Sequence, residues 1–274
     1  VSGTTPWAGG RFGERAECLL APNPGMMTLD GTNTWILREP GHPTSVVVDP
    51  GPVEDGHLDA IIEATGDVGL VLLTHHHLDH SEVAQALARD KGCAVRALDA
   101  SYCFSGDPLV DDEVISVDGL SLRVVATPGH TADSVSFVLP AEGALLTGDM
   151  VLGRGTTVVA HPDGQLGPYF ESIDRMRSLV SDGEVTTLWP AHGPVLDDAA
   201  GVLDHYRLHR HQRLDQVRGA LASLGVSEPD ADDETLPRQV VEIVYADVDE
   251  ALWVPAELSV RAQLAYLAQH PDAS

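Results

Sequence analysis

Between about residues 16 and 190 the apolar positions gather in short runs, at 16–20, 34–38, 45–49, 68–74, 94–98, 114–117, 121–126, 134–139, 144–147 and 186–190. Runs of that length, bounded by Gly, Pro and Asp, predict strands. Helical spacing appears among them at 54–64, 81–89 and 169–181. Strands alternating with helices predict an α/β architecture. The pattern changes after Val195. Asp197 or Asp198 can cap a long helix that runs to about Leu224, with Gly225 as its stop. An acidic loop at 227–234 follows, and then two helical stretches, 236–246 and 255–269. We therefore expect two domains, residues 1–196 and a small helical one at 197–274, with no internal repeat.

Composition narrows the class. A chain of 274 residues with 43% hydrophobic and 21% charged residues is ordinary for a globular protein. No apolar run approaches the roughly 20 residues that span a bilayer, so no membrane association is expected. Residues 1–15 show no basic segment followed by a long apolar stretch, which predicts no secretory signal. Cys18, Cys93 and Cys103 are odd in number and lack C-x-x-C spacing, so reduced thiols and a cytoplasmic location are expected.

The net charge is −26, and Lys91 is the one lysine. An acidic surface opposes non-specific grip on nucleic acid, which needs clustered bases against phosphate. The stretch 201–274 repeats that bias, with 13 acids against 6 arginines. An anionic substrate is still compatible with a site where bound cations dominate the local field.

The candidate chemistry lies at or just past strand ends. Thr74-His75-His76-His77-Leu78-Asp79-His80 puts four metal-type ligands within six residues. His75 and His77, two apart on extended or loop backbone, can converge on one ion, unlike the helical H-E-x-x-H spacing of four. Asp79 and His80 would face a second ion. His76 is expected to point outward between the two ligands. His130, Asp149 and His192 supply three more donors downstream. Asp149 follows an apolar run and a Gly, and its two oxygens could touch both ions. Imidazole with carboxylate, and no Cys in any patch, suits Zn²⁺ first, with Mn²⁺ or Fe as alternatives. Two divalent ions roughly 3.5–4 Å apart would bind a bridging hydroxide and lower its pKa towards neutrality. That hydroxide would attack a carbonyl or phosphorus, with Asp79 orienting it or carrying a proton.

Asn33 and His209 are candidates for substrate contact. Both have a plainer reading. Thr32-Asn33 could be a tight turn, and His209, Arg210 and Arg213 could pack a helix junction.

The ordered motifs His75-x-His77-x-Asp79-His80, Thr127-Pro128-Gly129-His130-Thr131, Gly148-Asp149 and His192-Gly193 resemble the metallo-β-lactamase superfamily. The resemblance implies an αβ/βα sandwich with two mixed sheets and metals at one edge. It implies His75, His77 and His130 on a first metal, Asp79, His80 and His192 on a second, and Asp149 between them. It also adds His161 and Tyr169, in the segment after Asp149, as candidates for substrate contact. Residues 23–34, Gly153-Arg154-Gly155-Thr156-Thr157 and His209-Arg210-His211-Gln212-Arg213 are similar to the β-lactamase-like protein 2 group. That group includes a single-strand endoribonuclease and carries a winged-helix-like C-terminal domain.

We therefore expect a dinuclear metal-dependent hydrolase of a small-molecule thioester, ester or lactone. A single-strand endoribonuclease is the alternative, with RNA disfavoured by the acidic charge. A non-catalytic metal-binding or interaction protein is the third reading, and the complete set of seven ligands speaks against it.

Overall fold

The structure is a computed structural model that describes residues 6–271, so the first five residues of the stretch read for a targeting signal lie outside the described residues. Eleven strands among the described residues form two mixed sheets. The first sheet holds β1 (Gly10–Phe12), β2 (Ala16–Leu20), β3 (Asn33–Leu37), β4 (Thr44–Val48), β5 (Asp67–Leu72) and β6 (Ala94–Arg96), in that order. Strands β4, β5 and β6 pair parallel, and the others pair antiparallel. The second sheet runs β11-β10-β9-β8-β7, with β7 (Val114–Val117), β8 (Leu120–Ala126), β9 (Val135–Leu139), β10 (Ala144–Gly148) and β11 (Thr187–Pro190). Only β10 and β11 pair parallel there.

Side chains alternate across each strand. Val46, Val48, Leu72, Val124, Phe137, Leu139 and Leu146 meet between the sheets, where Trp35 and Trp189 stack at 5.0 Å. Their neighbours Val47, Val71 and Leu73 face outward beneath α1 (His57–Thr65) and α3 (Ala84–Lys91). Val125, Val138, Leu145 and Leu188 join an apolar cluster with α4 (Leu166–Ser181) and the C-terminal helices. The result is a four-layer αβ/βα sandwich. Burial on both faces explains why the central strands read as near-continuous apolar runs.

The C-terminal segment is α5 (Ala199–Leu224), α6 (Leu236–Val244) and α7 (Trp253–Gln269). Asp198 caps α5 by accepting from the Gly201 amide at 2.9 Å, and Gly225 ends it in the left-handed region. No strand follows β11 among the described residues. Among them, too, no helix is long and apolar enough to cross a membrane.

Some boundaries differ from expectation for local reasons. The helix expected at 81–89 is two pieces, α2 (Leu78–Ser81) and α3, because the Val83 amide bonds to the Gly51 carbonyl at 3.2 Å instead of continuing a helical ladder. The first helix begins at His57 because Gly56 is left-handed, with φ 78°. Both α4 and α7 begin earlier than the apolar pattern suggests, and each accepts a proline in its first turn, where the missing N–H costs no bond. The edge strand β1 went unpredicted because Gly-Arg-Phe has no apolar run.

Candidate metal centre

The metal-type residues project from the C-terminal ends of β5, β8, β10 and β11, along one edge of the sandwich. After β5, Thr74 is clamped by Asp49, whose carboxylate accepts from the Thr74 amide at 2.8 Å and hydroxyl at 2.7 Å. Asp49 is buried with φ 51°, a conformation disfavoured for side-chain-bearing residues and here held by those bonds. The chain bends through Thr74–His76 and turns at His77 into α2. Asp79 and His80 therefore sit in a first helical turn, with the His80 ring centroid 4.1 Å from that of His75.

Gly148, at φ 52°, precedes Asp149, and a Cβ there would lie 2.8 Å from the Thr74 side chain. The two ligand-bearing strand ends approach as closely as they do because this position has no side chain.

Four imidazoles are oriented through their outer nitrogen. The Nδ1 atoms of His75, His80, His130 and His192 lie 3.0 Å from Thr74 Oγ1, 3.0 Å from Asp49 Oδ2, 2.7 Å from the Val158 carbonyl and 3.1 Å from the Gly31 carbonyl. An Nδ1–H donated to such acceptors leaves Nε2 to face inward, the arrangement that fixes a metal-binding tautomer.

The inward atoms form two sets. His77 Nδ1 lies 3.0 Å from His75 Nε2 and 3.2 Å from His130 Nε2. Asp79 Oδ2 lies 3.2 Å from His192 Nε2 and 3.4 Å from His80 Nε2. Asp149 reaches both: Oδ1 is 3.4 Å from His192 Nε2 and 3.7 Å from His80 Nε2, and Oδ2 is 3.7 Å from His130 Nε2. Ligand atoms of His75/His77/His130, of His75/His80/Asp149 and of Asp79/His80/His192 each lie within 4.8 Å of one another. His80 Nε2, His192 Nε2 and Asp149 Oδ1 are buried without a hydrogen-bond partner. Buried polar atoms left so are costly, and divalent cations would satisfy them. The donor set fits such ions.

Electrostatics separates the two sets. Burial, aided by repulsion from neighbouring imidazoles, holds His75 well below its ordinary range and pushes His77 down to about 4. Burial also lowers His130. His80 and His192 go the other way. Burial opposes their charge, but Asp149 and Asp79 outweigh it, and His192 rises to about 9. Asp79 and Asp149 resist the upward push of burial and are held below the usual carboxylate range by those imidazoles. Without a metal, protons on His80 and His192 thus balance the two aspartates.

The candidates for substrate contact are not brought together. Asn33 is fully buried; its amide donates to the Pro190 carbonyl at 2.9 Å and the Gly193 carbonyl at 2.8 Å, and its Oδ1 accepts from Trp7. It clamps the His192 loop and offers a substrate nothing. Tyr169 is also fully buried, with its hydroxyl donating to the Met150 carbonyl and its ring under Arg210, so it faces the core and no substrate. His161 packs against α7, its amide reaching the Leu258 carbonyl at 3.4 Å, beside a cavity of about 130 Å³ that contains none of the His/Asp cluster. His209 lines a cavity whose wall residues Thr157 and Val158 contact His130. His76 is half-buried between the ligands, with Nδ1 2.8 Å from Asp133.

Asp49 was not singled out by sequence, since a carboxylate after a strand is common at turns. Nor was the bracing of the 150–158 segment by α5. Tyr206 bonds both the amide and the carbonyl of Leu152, at 2.8 and 3.3 Å, and Arg210 donates to the Thr157 carbonyl at 2.6 Å.

This geometry has known counterparts. Residues 27–192 match the metallo-beta-lactamase superfamily, and residues 237–270 match the beta-lactamase associated winged helix domain. The chain belongs to the metallo-beta-lactamase superfamily. It is 31% identical over 269 residues to the Beta-lactamase-like protein 2 homolog of Drosophila melanogaster, covering 91% of this chain and 86% of that one. It is 32% identical over 254 residues to the Atrochrysone carboxyl ACP thioesterase of Aspergillus fumigatus, covering 88% and 78%. A beta-lactamase domain protein from Burkholderia ambifaria shares the fold, with a TM-score of 0.78, 22% identity and coverage of 99% and 91%. The superfamily match, a thioesterase among the relatives and the His/Asp cluster together make the chain a metal-dependent hydrolase.

Proposed function

We propose that the chain is a dinuclear hydrolase of a small acyl compound, a thioester, ester or lactone. The observation that carries this reading is Asp149, whose two oxygens face two separate donor sets. In this reading His75, His77 and His130 hold one ion, Asp79, His80 and His192 hold the other, and Asp149 bridges. Zinc suits the nitrogen–oxygen donors best, with Mn²⁺ or Fe as alternatives. When bound, the ions would supply a water acidic enough to ionise near neutral pH and Lewis acidity towards the substrate oxygen.

The protein supplies the rest. Asp79, the more exposed of the two aspartates, would orient the attacking water or carry a proton. Burial of His75, His80, His130 and His192 strengthens the electrostatic interactions among them and the aspartates. Residues 1–196 form the hydrolase domain, and 197–274 form the helical domain that walls it. The thioesterase relative supports an acyl substrate. Three thiols outside any disulfide are in keeping with a reducing, cytoplasmic setting.

A second reading, a single-strand endoribonuclease, draws on the winged-helix match. The acidic excess of residues 201–274 weighs against it.

The test is to incubate zinc-loaded chain with acyl thioesters and, separately, with end-labelled single-stranded RNA, with His77→Ala as control. Thiol release by the parent alone supports the acyl reading. RNA cleavage by the parent without thiol release overturns it.

A further inference from the structure

A cavity of about 260 Å³ lies one residue layer beyond His130. Thr157 and Val158 form one wall, and they are the two residues that contact His130 Nδ1 from outside. Met27, Tyr245, Val248 and Leu252 give it an apolar lining, contributed by the loop before β3 and by the C-terminal helices and their connection. Met27 is half exposed there. A contiguous apolar surface next to a reactive centre is the usual form of a ligand pocket.

Its charge is the unexpected part. The chain carries 42 acidic residues and a net charge of −26, yet no Asp or Glu lines this cavity. His209, Arg210 and Arg213 do. Arg210 is 4% exposed and its Nε has no hydrogen-bond partner. His209 Nδ1 is likewise buried and unpartnered. Arg213 lies over the Tyr245 ring at 4.7 Å, and its Nη1 donates to Gln216. Arg210 spends Nη2 on the Thr157 carbonyl and lies over the Tyr169 ring, but among the described residues neither it nor Arg213 has a carboxylate partner. A buried guanidinium without a carboxylate is costly, and an anion from outside the chain would offset that cost at the free Nε. Burial together with the nearby guanidinium charges pushes His209 down to about 4, which leaves its ring neutral and able to serve as a hydrogen-bonding wall.

We propose that this cavity is the subsite for an apolar acyl group that carries an acidic terminus, with its scissile carbonyl at the His/Asp cluster. The apolar wall takes the chain, and Arg213 with the inner Arg210 takes the anion. The inference rests on the acyl-hydrolase reading and names the class of acyl group.

The experiment compares two eight-carbon thioesters of N-acetylcysteamine, octanoyl and suberyl, the second ending in a carboxylate. Zinc-loaded full-length chain should favour the suberyl thioester by about tenfold or more in kcat/KM, the scale of one charge-assisted hydrogen bond. Arg213→Met keeps an apolar stem over Tyr245 and removes the charge. It should reduce that ratio to within about twofold of unity. Suberate binding, followed by calorimetry on the same zinc-loaded chains, should weaken in the variant, and thermal melting checks that the variant is folded. Suberate that binds in an Arg213-dependent way while neither thioester is cleaved would sink the hydrolase reading and leave the subsite standing. Equal cleavage of both thioesters by the parent, or a suberyl preference unchanged in Arg213→Met, would overturn the subsite and leave the hydrolase reading intact.

Discussion

Arg210 donates from Nη2 to the Thr157 carbonyl at 2.6 Å, and the next carbonyl, that of Val158, receives His130 Nδ1 at 2.7 Å. A residue in the middle of α5 thus fixes the acceptor that orients a first-set imidazole. Arg210→Met leaves the Thr157 carbonyl without its charged partner, a loss of about 1–3 kcal/mol. Metal affinity should also fall, by less than the roughly 10- to 100-fold seen when a ligand's own outer partner is removed, because Arg210 acts one residue away from the Val158 carbonyl. Chelator competition together with urea unfolding separates the two effects. Reduced stability with unchanged metal affinity would show that Arg210 only packs.

His77 sits between His75 and His130, so His77→Ala should strip metal and lower turnover by at least about a hundredfold, more than loss of an outer partner costs. Asp79→Ala should slow turnover far more than it shifts the melting temperature, because Asp79 is partly exposed and its contacts are to ligands, not to the core. Elemental analysis, kinetics and melting on both variants check this. Full activity in His77→Ala with no metal lost would contradict the ligand assignment.

Metal binding should strengthen as pH rises. The folded His192 ring has its pKa raised to about 9, against an unfolded value of about 6.5. The ion-pair stability it gives the metal-free chain is full below about 6.5 and lost as pH rises through about 9. An incoming cation must displace that proton, so affinity should climb across this window and proton release should accompany binding. Calorimetry in two buffers of different ionisation enthalpy measures the protons released. A zinc affinity that stays flat from pH 6.5 to 9, with no released proton, would count against His192 as a ligand.

Asn33→Ala removes the two hydrogen bonds that hold the Pro190 and Gly193 carbonyls on either side of His192. We expect a loss of about 2–4 kcal/mol in unfolding free energy, from two buried acceptors left bare. The weaker-bound metal should leave first, and KM should change little. A large KM increase at full metal occupancy would restore Asn33 to the substrate site.

Much of the fold could be read from the pattern. The strands β2 and β7 match it residue for residue, and Asp198 and Gly225 bound α5 as their chemistry requires. The seven donors were legible because each follows an apolar run and carries an ordered spacing. The bracing was not. Asp49 reaches Thr74 across 25 positions and Arg210 reaches Thr157 across 53, and no local period encodes such pairings. Tyr169 misled for the same reason. It follows Asp149 in sequence, but the helical period of α4 turns it into the core, against a glycine: a Cβ on Gly129 would sit 2.4 Å from the Tyr169 Cα.

Val125, Val138 and Leu145 share one apolar cluster with residues of α5, α6 and α7, so residues before and after 196 should melt together. A chain cut at residue 196 would uncover the outer face of the second sheet and release the braces on Leu152 and Thr157 in the same stroke. The C-terminal helices therefore cannot be exchanged among relatives as a detachable specificity module. Any graft must carry with it the matching outer residues of β8, β9 and β10, or it will disorder the His/Asp cluster before it gains a new substrate.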